Sequence, residues 1–436
     1  MSDFLIPKLG TPKITSPYSL SKMVGDLIAN YVHEDEFIIY DVHATPQKTI
    51  TYEKQNLLEK AGPREKIYFD PQKVHAAIVT CGGLCPGINS VIRSIVMTLW
   101  HQYGVRHISG IKYGYQGLLS ENNFPVVELN PEKVGYIHRM GGTYLGSSRG
   151  GGDRVKEIVD TLEKLKISMF FTIGGDGTQK GALAIEEEAK RRSLEMVVVG
   201  IPKTIDNDLS YIQKSFGFET AVSKAVEAVS GAHVEAHDAV NGIGLVKLMG
   251  RESGFISAYT ALGTNDVNFV LVPEVPFDLE GENGLLAHLK KRLLSRNHAV
   301  IVVSEGAGQN LLPKTDKFDA SGNKKFADIG SFLTDRIKAF FTKEGIEINL
   351  KYIDPSYIIR SVPAIPSDSV YCTRLGTNAV HAAMAGKTRM LVSLINNTFV
   401  HVPFSLAVSK RNRIDPESPL WRDVVQATGQ PALMKN

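Results

Sequence analysis

The tightest constraint on the fold lies in residues 169–208. Met169-Phe170-Phe171-Thr172-Ile173 is a short apolar run, cut off by Gly174-Gly175-Asp176-Gly177-Thr178. A polar helical stretch follows, then Met196-Val197-Val198-Val199-Gly200-Ile201, then Pro202-Lys203-Thr204-Ile205-Asp206-Asn207-Asp208. Two β-rich apolar runs around a helix pattern make a βαβ unit. Open parallel sheets bind ligands outside the carboxyl ends of their strands. The unit therefore aims Asp176, Asp206 and Asp208 at one crevice, with glycines that let backbone approach a phosphate.

The same alternation extends along most of the chain. Strands are predicted at 74–80, 105–111, 243–249, 268–272, 298–304 and 347–352, with helices near 88–103, 219–237, 285–295 and 328–342. Residues 368–394 add one more helix and strand. This predicts an α/β chain of two doubly wound, mainly parallel-sheet domains. Residues 1–72 read as an N-terminal extension, with a lone strand candidate at Phe37–Tyr40. Residues 73–217, completed by about 359–409, form the first predicted domain; 218–358, completed by about 410–436, form the second.

Two glycine-rich loops carry chemistry. Gly82-Gly83-Leu84-Cys85-Pro86-Gly87 links a strand to a helix, so free N–H groups and the positive helix end face an anion. Gly141 to Gly152 holds Ser147, Ser148 and Arg149, and hydroxyls with a guanidinium fork suit phosphate oxygens.

A formal net charge of +3 is too small to argue for nucleic acid or an anionic membrane as partner. The basic runs at 290–292 and 410–413 read as solvated surface. Three cysteines make no disulfide framework and fit a reducing compartment. With no signal-like start, no apolar run near ~20 residues and no peroxisomal tripeptide, a cytoplasmic protein is expected. His233 and His237 stand four apart on one helix without the glutamate of a zincin motif, so they read as surface histidines. Asn396-Asn397-Thr398 fits a glycosylation sequon that is idle without secretion.

Taken in order, these motifs resemble the phosphofructokinases, from about residue 74 to residue 395. The resemblance rests on Gly82-Gly83 with Pro86-Gly87-Ile88-Asn89, Gly142-Thr143 with Leu145 to Arg149, and Gly-Gly-Asp-Gly-Thr at 174–178. Thr204 to Asp208, Met249-Gly250-Arg251, Glu305-Gly306 and Tyr357-Ile358-Ile359-Arg360 complete the series. The extension and the Pro202-Lys203 wording are most similar to the plant and trypanosomatid branch of ATP-dependent enzymes.

The resemblance implies transfer of the γ-phosphoryl of ATP to the 1-hydroxyl of fructose 6-phosphate, in an allosteric homotetramer. It implies Asp206 as base, with Thr204 beside it, Arg251 bracing the moving phosphoryl, and Mg²⁺ held by Asp176 and Asp208. Gly82, Gly83, Arg149, Gly150, Gly175, Asp176, Gly177, Thr178 and Gly181 would line ATP, with Tyr115 flanking the adenine. Lys203, Thr204, Asp206, Met249, Gly250, Arg251, Glu305, Lys351, Tyr357 and Arg360 would hold the sugar phosphate.

Gly177 and Lys203 bear on the phosphoryl donor. A glycine leaves room for the α-phosphate of ATP, where pyrophosphate-using relatives carry aspartate; Lys203 is the residue those relatives share. The combination is that of the plant and trypanosomatid branch, so ATP is the expected donor and pyrophosphate the alternative. A non-catalytic nucleotide sensor would want Asp206 or Arg251 replaced, and both are present. Gly242 stands where the bacterial form has a phosphate-binding arginine, and Tyr357 and Lys351 replace its histidine and second arginine. The 6-phosphate pocket is therefore expected to be built differently.

Overall fold

The structure, a computed structural model, describes residues 4–46, 50, 56–313 and 326–436. It divides into two compact units. The first holds residues 1–205, 209–217 and 361–410; the second holds 206–208, 218–360 and 411–436.

In the first unit a seven-stranded sheet runs in the order Thr398–Pro403, Met390–Ile395, Val197–Pro202, Met169–Gly174, His75–Thr80, His107–Ile111, Val127–Glu128. The five central strands are parallel and the two outermost pair antiparallel. Met169–Gly174 and Val197–Pro202 are buried at every position, as a sheet covered on both faces requires. Helix Pro366–Met384, preceding the strand Met390–Ile395, packs on helix Ile88–Met97; its Gly376 has no room for a Cβ against Ser94.

Three details differ from the sequence reading. The helix from Ile88 is α only to Met97 and finishes as a π-turn, Thr98–Tyr103. Asn396 and Asn397, read as an idle sequon, have φ of +47° and +60° and turn an antiparallel hairpin between Met390–Ile395 and Thr398–Pro403. Such two-residue turns favour asparagine because its short amide tolerates left-handed backbone. The extension holds two short pairs rather than one lone strand: Phe37–Ile39 with Leu57–Glu59, and Ile14–Thr15 with Lys66–Ile67.

The extension is tied to the rest of the first unit by buried charge. Arg64 donates to Glu59 at 2.8 Å and Glu34 at 3.0 Å, Lys387 pairs with both acids, and His401 Nδ1 lies 3.2 Å from Glu59. Burial opposes ionisation of Glu34 and Glu59, yet Lys8, Lys387 and Arg64 at Glu34, and His401 and Lys387 at Glu59, hold both carboxyls well below the usual range, Glu34 at about 2. A depressed folded pKa stabilises above the unfolded value of about 4.3 and is lost as pH falls through the folded value. Urea midpoints are therefore expected to fall from about pH 5 toward pH 2, and Glu59→Gln to flatten that slope. An unchanged slope in the variant would remove Glu59 from the account.

The second unit is a four-stranded, fully parallel sheet in the order Phe269–Leu271, His298–Ser304, Gly242–Leu248, Asn349–Ile353. Helices Phe218–His237, Phe255–Thr264, Leu285–Arg296 and Ile329–Lys343 pack around it. Among the described residues, no helix is long and apolar enough to cross a membrane.

Candidate functional site

In the first unit, the two glycine-rich loops are joined. Gly82, at φ +87°, donates its N–H to Ser148 O at 2.8 Å and accepts from Ser147 Oγ at 2.7 Å. Thr80 Oγ1 donates to Gly146 O at 2.7 Å. Arg149 comes within 3.8 Å of where a Cβ on Gly83 would stand, and Gly150 is also left-handed. Lys203 is buried, and its Nζ donates to Gly83 O at 2.7 Å. The cation therefore braces the first glycine turn. Thr204 N–H donates to Ser215 Oγ at 2.9 Å.

The strand Met169–Gly174 passes through Gly175, in extended backbone, into helix Asp176–Arg191. The first N–H groups of that helix have no intrahelical acceptor and carry its positive end. Asp176 opens the helix and pairs with Lys180 at 2.8 Å. A Cβ built on Gly177 meets nothing within 4 Å, so this turn faces open space. Gly175 is tighter, its Cβ position lying 3.3 Å from Lys203 O.

Tyr115 and Gly181 correct the sequence reading. Tyr115 is 2% exposed, belongs to the apolar core, and donates its hydroxyl to the carbonyl of buried Thr178 at 2.8 Å. A Cβ on Gly181 would stand 2.9 Å from its ring. The ring supports the turn at 175–178 from the core side, and Gly181 is glycine to admit it. Neither presents a surface to a nucleotide base.

In the second unit, the carboxyl ends of two adjacent strands are laced together. Glu305 N–H donates to Leu248 O at 2.9 Å and Gly306 N–H to Gly250 O at 3.0 Å. Gly250 has φ +127°, and a Cβ on Gly306 would fall 1.8 Å from Arg251 O. Only glycine permits this approach. Half-buried Met249 leads into Gly250 and Arg251, whose guanidinium lies 4.9 Å from the ring centre of Phe326.

Asp206 joins this corner. Its carbonyl accepts from Ser253 Oγ at 3.1 Å. Burial pushes its carboxyl up to about 8; the charges of Asp208 and Glu305 push the same way, against the Arg251 N–H and guanidinium. Oδ1 is buried without a hydrogen-bond partner among the described residues. Glu305 is raised chiefly by burial, with Arg251 opposing. Asp208 pairs with Arg411 at 3.7 Å and accepts Asn412 N–H at 2.8 Å through its carbonyl. The basic run at 410–413 reads as solvated surface in the sequence, where Asp415 and Glu417 stand beside it, and no local signal marks the pairing of Arg411 with Asp208.

Tyr357 and Arg360 share the short helix Ser356–Arg360, the guanidinium 4.6 Å from the ring centre. Arg360 Nε is buried and has no acceptor among the described residues. Lys351 is placed apart: exposed on the strand Asn349–Ile353, level with Gly244, roughly 13 Å short of Leu248 at ~3.3 Å per residue. Gly242 admits no side chain, since its Cβ would lie 2.1 Å from Ala236 O. An arginine there is sterically excluded. Gly242→Ala is expected to cost about 1–3 kcal/mol of stability by overpacking, read from denaturant midpoints.

His233 and His237 have ring centres 6.0 Å apart and both approach His298, at 5.5 and 5.3 Å. Among the described residues, no three His, Cys, Asp or Glu side chains stand at metal-ligand spacing.

The phosphofructokinase family pattern matches residues 75–383, and the chain belongs to that family. It is 58% identical to the "ATP-dependent 6-phosphofructokinase" of Borreliella burgdorferi, over all of this chain and 98% of that one. It is 48% identical to "ATP-dependent 6-phosphofructokinase 7" of Arabidopsis thaliana, over 91% of this chain and 82% of that one. A crystal structure of the pyrophosphate-dependent phosphofructokinase of Marinobacter aquaeolei shares the fold, with a TM-score of 0.66 at 19% identity, covering 81% of this chain and 91% of that one.

Proposed function

We propose that the chain is an ATP-dependent 6-phosphofructokinase, moving the γ-phosphoryl of ATP to the 1-hydroxyl of fructose 6-phosphate in glycolysis. The observation that carries this reading is the Asp206 corner: a buried carboxyl beside Arg251, with one oxygen unpartnered among the described residues. In its ionised form the carboxyl can take the proton of an incoming hydroxyl, and general-base help is worth roughly 10²–10⁴ in rate. Arg251 is a fixed positive charge for the equatorial oxygens of the transferring group. Arg360 Nε, an orphaned buried donor, suits the 6-phosphate, with Tyr357, Met249, Gly250 and Glu305 about it. In the first unit Gly82, Gly83, Arg149, Gly150, Gly175, Gly177 and Thr178 receive the triphosphate.

Each unit offers Mg²⁺ a hard carboxylate, Asp176 in the first and Asp208 in the second, and such an ion would take most of its ligands from phosphates and water. The chemistry a bound Mg²⁺ would supply is neutralisation of charge on the transferring phosphates. Asp176 must release Lys180 to reach it. We expect a cytoplasmic homotetramer, checked by light scattering on the purified chain.

Buried Lys203 keeps a second donor, pyrophosphate, in view. A coupled assay with fructose 6-phosphate and Mg²⁺, run with ATP and with pyrophosphate, decides. Turnover with ATP alone is expected; turnover with pyrophosphate alone overturns the donor, and none with either overturns the enzyme.

A further inference from the structure

Lys247 is an anomaly in its strand. Gly242–Leu248 is flanked by strands on both sides, and every residue in it except Lys247 is fully buried. A parallel strand covered on both faces ordinarily carries apolar side chains throughout. A charge in such a place is tolerated only when paired. Here the ammonium lies 3.1 Å from Asp328 and 2.8 Å from Asp354, and the side chain is 15% exposed.

Both acids hold the start of a helix. Asp328 accepts from Gly330 N–H at 3.1 Å and Ser331 Oγ at 2.7 Å, opening helix Ile329–Lys343. Asp354 accepts from Ser356 N–H at 3.1 Å and Ser356 Oγ at 2.5 Å, opening helix Ser356–Arg360. Tyr352 donates its hydroxyl to Asp328 at 3.3 Å. One cation therefore fastens two helix starts to the strand that leads, two residues later, into Met249-Gly250-Arg251. The second of those helices carries Tyr357 and Arg360.

Burial works against ionisation of both acids; Ser331 and Lys247 at Asp328, and Lys247 and Ser356 at Asp354, nonetheless hold them below the usual carboxylate range. Glu305 also feels Lys247, after burial and Arg251.

We propose that Lys247 is a positioning residue for the sugar-phosphate half of the reaction: through Asp354 it sets the helix that presents Arg360 and Tyr357, without touching the substrate itself. This rests on the kinase reading above. Arg360 closes the five-residue helix that Asp354 opens, and misplacement of about 1 Å in a binding group can cost ~10²-fold.

The test is Lys247→Met, which keeps the apolar stem and removes the charge, assayed beside the unmodified enzyme. The KM for fructose 6-phosphate is expected to rise about 10–100-fold, with the KM for ATP within about 2-fold and kcat falling less than the sugar KM rises. Lys247→Arg should restore most of the affinity, because its guanidinium can meet the same two acids. Asp354→Asn should reproduce the signature, and the double variant should be no worse than the poorer single one. An unchanged sugar KM in Lys247→Met, or both KM values rising together, overturns the role. Should that variant fail to fold, Asp354→Asn carries the same pair of outcomes. No turnover by the unmodified enzyme would instead sink the kinase reading.

Discussion

Asp206→Asn is expected to lower kcat about 10²–10⁴-fold while leaving the KM values for both substrates within a few-fold. The amide keeps the shape of the carboxyl but cannot take a proton. The same variant is expected to melt no lower than the parent. The carboxyl is buried beside Asp208 and Glu305, and its ionised form is disfavoured by burial before any neighbour is counted. Taking up a proton there, or bearing the charge without water, costs the native state free energy that a neutral amide does not. A variant that loses activity and stability together would indicate a structural carboxylate. A variant that retains activity would remove the base.

Gly177→Asp is expected to abolish ATP use and Gly177→Ala to be nearly silent. The pair separates charge from bulk. A Cβ on Gly177 meets nothing within 4 Å, so alanine fits, and in a helix it is favoured over glycine by about 1 kcal/mol. A carboxylate about 4 Å from an α-phosphate oxygen would cost ~4 kcal/mol at an effective dielectric of 20, close to 10³ in kcat/KM. Steady-state kinetics with ATP and with pyrophosphate on both variants give the answer. Full ATP activity in Gly177→Asp would show that the α-phosphate lies elsewhere. A large loss in Gly177→Ala would show that the space is occupied when nucleotide binds.

The parallel strands were legible because burial on both faces leaves a continuous apolar run, as in Met169–Gly174 and Val197–Pro202. The hairpin at 390–403 was not. Its Asn396-Asn397 turn also fits a glycosylation sequon, and that pattern hides the left-handed backbone preference of the two asparagines. The pairs in the extension depend on partners far along the chain, and the charge cluster that ties it down joins residues 34, 59 and 64 to 387 and 401. No local pattern marks such a cluster. The site motifs were legible as motifs, but their orientation was not. Tyr115 and Gly181 read as ligand contacts and form a ring-on-backbone fit inside the core. Gly242 read as a missing arginine and is a place with no room. Lys247 carries no signal in sequence, because its two acids, Asp328 and Asp354, lie more than 80 residues away along the chain.

The interleaved course of the chain has a consequence during synthesis. The first unit takes in residues 361–410, including a strand inside its large sheet and the helix packed on Ile88–Met97. Residues 218–360 must be made before that segment leaves the ribosome, about 7–30 s at ~5–20 residues per second. For that interval the nascent N-terminal half presents the bare flank of Val197–Pro202, where Met390–Ile395 will later add. Chaperone occupancy on stalled nascent chains should peak in this window and drop once residue 410 has emerged.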